Sequence, residues 1–146
     1  MKVGIKMMVA ACMACGALML GSVYHASAGE IMIIANPSVP AESLDPDAIR
    51  NLFLGKTAKW ENNDMVTIVV SEQSDVHKGF LEKYIKRTEN QFSNVWRQNL
   101  FTGKGKQPVK VNSVEELVDY VSKTPGAIGY ISSDAKLPPE VKVLAK

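Results

Sequence analysis

Val66-Thr67-Ile68-Val69-Val70-Ser71-Glu72-Gln73-Ser74-Asp75 describes a strand passing through a short polar loop into a helix. Its first five residues are all β-branched, a side-chain shape that packs well on a pleated, buried surface. Ser74 or Asp75 then supplies a helix start, and Val76, Phe80, Leu81 and Tyr84 follow on one helical face. Upstream, Ile31-Met32-Ile33-Ile34-Ala35 is a nearly all-apolar run of the kind buried on both faces, ended by Asn36-Pro37. Asp45 before Pro46 caps a second helix, along which Ile49, Leu52 and Phe53 recur up to Gly55.

Downstream, the pattern predicts a helix from about Glu89 to Phe101, with Phe92, Val95, Trp96 and Leu100 as its apolar stripe. Ser113-Val114-Glu115-Glu116 has the spacing of a capping box and opens a helix that turns Leu117, Val118 and Val121 inward. Thr124-Pro125-Gly126 stops it. Ala127 to Ile131 gives a third strand and Val141 to Leu144 a last one. Strands alternating with helices predict an α/β fold: a mostly parallel (mixed) sheet flanked by helices. Ligands of such sheets sit beyond the carboxyl ends of the strands.

Residues 1–28 carry the pattern of a secretory signal peptide. Lys2 and Lys6 precede an uncharged apolar stretch from Met7 to Val23, and Ala26-Ser27-Ala28 gives the small-x-small site before Gly29. A lipoprotein box at Val9-Ala10-Ala11-Cys12 would leave only a handful of apolar residues after Lys6, and an uncleaved anchor would be short of the roughly 20 residues that span a bilayer. Cleavage after Ala28 leaves residues 29–146, the size of a single domain, and predicts a periplasmic protein. Cys12 and Cys15 go with the leader, so their C-x-x-C spacing is no redox or zinc signal. Of the 17 basic residues, Lys2 and Lys6 also go, leaving 15 against 15 acidic. No mature segment is dense enough in lysine and arginine to mark a nucleic-acid surface.

Two places could hold an anion. One is the loop from Val70 into the following helix, where unpaired N–H groups could be joined by Ser71, Gln73, Ser74 and His77. The plain reading beside it is that Ser74 caps and Asp75 complements the helix dipole, with Glu72 repelling any anion. The other is Thr102-Gly103-Lys104-Gly105-Lys106, where glycines and Lys104 could form a nest, or could simply end a helix. Enzymatic patterns are poor. His77 is the only histidine after the leader, no G-x-S-x-G elbow occurs, and no metal-ligand spacing is present, so no catalytic residue, metal or cofactor is expected. Trp96 falls on an apolar stripe and is expected in the core, while Trp60 packs a loop against the domain.

Asn51-Leu52-Phe53-Leu54-Gly55-Lys56-Thr57-Ala58-Lys59-Trp60 and Thr124-Pro125-Gly126-Ala127-Ile128-Gly129-Tyr130, with Thr67 to Val70 and the Gly79-Phe80…Tyr84 helix between them, occur in an order that resembles the phosphate-binding subunit of bacterial ABC transporters, a type II periplasmic binding protein. The resemblance runs from Ile31 to about Ile131 and implies one lobe of a fold that normally closes two lobes on its anion. In that family the loop after the second strand carries an Arg and an Asp-Gly-Ser-Gly-Thr-like run. Here Ser71 takes the arginine position, Ser74 and Val76 the glycines, and His77 the threonine, leaving Ser71, Gln73 and Ser74 as the heirs.

The resemblance therefore implies a solute-binding-type protein that holds phosphate or a similar oxyanion weakly, since one lobe leaves the ion hydrated and screened. A homodimer would supply a second wall. The alternative is a lobe that binds no ligand and contacts a sensor, permease or other periplasmic partner, through an exposed apolar patch around Phe53, Leu54 and Trp60.

Overall fold

The computed structural model describes residues 30–72 and 74–146. Residues 1–29, with the expected leader and both cysteines, and Gln73 lie outside those residues.

Helix ends follow the capping residues closely. In α1 (Pro46–Phe53) the Asp45 carboxylate accepts from the Ala48 N–H at 2.7 Å, with Pro46 in the first turn. Ser74 caps α2 (Asp75–Phe80), which runs on into a π-helical turn, Leu81–Ile85. Thr88 and Gln91 form a reciprocal capping box at the start of α3 (Glu89–Phe101). At α4 (Val114–Lys123) the box is displaced by one residue: Ser113 accepts from the Glu116 N–H, but the Glu116 carboxylate accepts from Asn112.

The strands are β1 (Ile31–Ala35), β2 (Thr67–Val70), β3 (Val109–Lys110), β4 (Ala127–Ser132) and β5 (Lys142–Ala145). Their order across the sheet is β3-β2-β4-β1-β5. β2 pairs in parallel with β3 and β4, whereas β1 pairs antiparallel with both β4 and β5. Four strands thus share a direction and β1 alone opposes them, a mixed α/β sheet as expected. The two-residue β3 and the π-helical turn were not foreseen.

Alternation along β4 assigns the two faces. Gly129 meets Leu117 and Val121 of α4, while its neighbour Tyr130 meets Phe80 of α2 and Phe53 of α1. α4 therefore covers one face, and α1 and α2 the other, with α3 joined to them through Phe92 against His77. All of β1 and Ala127 to Ile131 of β4 are buried, as a sheet covered on both sides requires.

Two expectations need correction. Leu100 is 44% exposed rather than part of the inward stripe, because α3 ends beyond the edge of the core; only Phe92 and Trp96 of that helix are buried. Phe53, Leu54 and Trp60 form no surface patch. All are buried, Phe53 by edge-on packing with Phe80 at 4.6 Å and Trp60 by its bond to the Gly126 carbonyl.

Candidate functional site

The loop leaving the carboxyl end of β2 carries Ser71 and Ser74, and α2 carries His77 in its first turn. Ser71 is completely buried; its N–H donates to Tyr130 Oη at 2.9 Å, and its Oγ has no partner among the described residues. Ser74 Oγ both accepts from the His77 N–H and donates to the Ser71 carbonyl. These bonds satisfy the start of a short helix and leave the Ser74 hydroxyl no proton for a ligand.

His77 is 1% exposed, its ring among Phe80, Phe92 and Tyr130. Its Nδ1 lies 2.5 Å from Tyr130 Oη. The arrangement that satisfies Tyr130 has its oxygen accept from Ser71 and its hydrogen go to Nδ1, with the His77 ring neutral and protonated at Nε2. Burial holds the His77 pKa below its ordinary 6.5, opposed by Glu72 and Glu89 and aided by Lys110. Burial likewise pushes the Tyr130 phenol well above its ordinary value, against the lowering effect of the Ser71 N–H bond. Ser71, His77 and Tyr130 are therefore a locked polar unit inside an aromatic core.

The open polar surface lies beside that unit. A cleft of about 280 Å³ between α3 and β3 is lined by Glu72, Ser93, Arg97, Gln107 and Lys110. Glu72 pairs with Lys110 at 3.1 Å, while Arg97 has no carboxylate partner among the described residues. One unpaired guanidinium, a hydroxyl and a carboxamide can together hold an anion, against the field of Glu72.

Sequence reasoning missed Arg97 and Lys110. Arg97 was visible as the only base on a 13-residue helix, but Lys110 belongs to a strand too short to recognise. Lys104 does not join this group. It lines a separate cleft of about 430 Å³ with Lys56 and Asn99, between the carboxyl ends of α1 and α3.

No family model and no curated protein matches the sequence. Solved structures do match the fold. An ABC-type phosphate transport receptor from Vibrio cholerae aligns with a TM-score of 0.60 at 17% identity, over 78% of this chain and 44% of that one. A Clostridium perfringens protein assigned as a phosphate ABC transporter substrate-binding protein, solved with bound phosphate, gives 0.62 at 18% identity, over 78% and 43%. PstS from Borrelia burgdorferi gives 0.57 at 14% identity, over 79% and 46%.

The chain has the fold of one lobe of a phosphate transport receptor. It spans less than half the length of these receptors. The buried Ser71–His77–Tyr130 unit and the Arg97 cleft both flank the carboxyl end of β2, the end of a parallel sheet at which ligands are held. No helix among the described residues is long and apolar enough to cross a membrane.

Proposed function

We propose that this chain is a periplasmic, non-enzymatic solute-binding-type protein that holds phosphate or a similar oxyanion weakly, or as part of an assembly, in connection with phosphate ABC transport. The observation that carries this reading is an arginine, Arg97, with no carboxylate partner among the described residues, lining a polar cleft beside the carboxyl end of β2 in a lobe of receptor type. Arg97, Ser93 and Gln107 are its donors, and Glu72, which follows Ser71 in the loop after β2, lines the same cleft. Affinity is low because Glu72 opposes the anion and one wall of the site is open to water. A second copy of the chain or a permease would close that wall.

Isothermal titration with phosphate, with sulfate as competitor and mass measured by light scattering, tests the proposal. Saturable binding that weakens in Arg97→Gln supports it. No heat at millimolar phosphate, for monomer or dimer, rejects it.

The burial of Ser71 and His77, at positions where the resemblance implies ligand donors, favours a second reading: a module that has given up its ligand and contacts a sensor or permease instead. That reading is the one left standing if phosphate does not bind.

A further inference from the structure

Phe101 is 98% exposed, the one phenylalanine of four to lie outside the core. It ends α3, directly before Thr102-Gly103-Lys104-Gly105-Lys106. Leu100 beside it is 44% exposed, and Met65 is 42% exposed. Lys104 and Lys106 border one cleft with Met65, and Lys56 and Lys104 border the adjoining one. None of these three lysines has a carboxylate within ion-pair distance among the described residues.

The charge is local. From Asn90 to Val114 the chain has four bases and no acid, although it is balanced after the leader. Glu61 and Asp64 belong to the α1–β2 connection but line neither cleft. Lysines near the carboxyl ends of α1 and α3 complement the helix dipoles, which accounts for their position. It does not account for Phe101.

The patch meets the Arg97 cleft at Trp96 and extends from there to the other end of the sheet. α1 leads to the start of β2 and α3 to the start of β3, so Lys56, Phe101 and Lys104 lie at the amino ends of these strands, opposite the carboxyl end that carries Ser71.

From this we infer that the Phe101 end of the domain docks on an anionic bilayer surface, with the phenylalanine ring inserted among the headgroups and Lys56, Lys104 and Lys106 set against lipid phosphates. A protein partner is less suited to the shape. Specific protein interfaces bury on the order of 1,000 Å² or more around a packed apolar centre, and a single projecting ring with a half-exposed leucine and a half-exposed methionine provides no such centre. A bilayer needs only an apolar wedge and neighbouring cations, each lysine strengthening attachment by about fivefold at an anionic surface.

The test uses the full chain in the form the cell exports, with phosphatidylcholine vesicles that contain or lack phosphatidylglycerol. In Phe101→Trp the new indole should shift to the blue with phosphatidylglycerol vesicles and stay unshifted without that lipid, against the constant signal of buried Trp60 and Trp96. Lys104→Gln with Lys106→Gln should weaken binding to anionic vesicles by about 25-fold, two lysines at fivefold each, and added salt should do the same. An apolar leader, if retained, would bind both vesicle types and leave these differences intact. No shift, or a shift or affinity indifferent to phosphatidylglycerol, overturns the inference, as does a shift produced by a periplasmic protein but not by vesicles.

Discussion

The indole N–H of Trp60 donates to the carbonyl of Gly126 at 2.9 Å. Sixty-six residues apart, they belong to the two stretches on which the resemblance was read, and in the fold those stretches meet. Gly126 has φ +76°, and a Cβ there would collide with the Met65 carbonyl, so a glycine allows the α4–β4 corner to close against the approach to β2. Gly126→Ala should lower stability by more than about 2 kcal/mol in urea denaturation, through clash and backbone strain together. Trp60→Phe should cost only about 1 kcal/mol beyond its packing loss, since the Gly126 carbonyl also accepts from the Thr67 N–H.

Tyr130→Phe removes the oxygen that joins Ser71 and His77. Two buried groups then lack partners, and the expected loss is about 3 kcal/mol, on the scale of 1–3 for each orphaned group. A smaller loss than that of Tyr84→Phe, whose hydroxyl makes one long bond of 3.4 Å to the Ile31 carbonyl, would contradict the locked unit.

Acid should weaken the fold through His77. Its folded pKa is depressed, so between that value and the unfolded 6.5 the unfolded chain binds the extra proton. Stability therefore falls as pH drops below about 6.5, by at most about 1.4 kcal/mol per pH unit, and the contribution levels off below the folded pKa. His77→Gln should flatten this slope in denaturation curves taken across pH.

Ser71→Ala separates stability from binding. A buried hydroxyl with no partner among the described residues costs desolvation, so its removal should raise stability by about 1 kcal/mol. If phosphate affinity falls in the same variant, the hydroxyl is kept for the ligand; unchanged affinity assigns binding to the Arg97 cleft alone.

Much of the architecture could be read from local chemistry. Asp45, Ser74 and Ser113 are caps whose side chains compete for backbone N–H groups wherever they stand, so helix starts were visible residue by residue. The buried runs of β1 and β4 were equally plain. The direction of β1 was not, because an apolar strand covered on both faces has the same composition in a parallel or an antiparallel pair.

Polar residues were harder to interpret. His77 and Ser71 belong to a loop and helix start that water could have reached; the bonds to the distant Tyr130 join them inside the core, and a 53-residue separation leaves no periodic trace. The stripe on α3 predicted Leu100 inward for a related reason, since helical spacing cannot tell where the core beneath a helix ends.

β1 is the earliest strand of the described fold, and its two neighbours in the sheet are β4 and β5, the last two. Ile33 is aligned with Ala145 of β5. Ile31 to Ala35 must therefore wait, unpaired and wholly apolar, until β4 and β5, far downstream, have emerged, and the large sequence separation of its contacts slows closure. During that interval its free edges are a template for aggregation. The order of assembly, as much as the finished sheet, makes this short domain a chain that needs shielding until its last strand arrives.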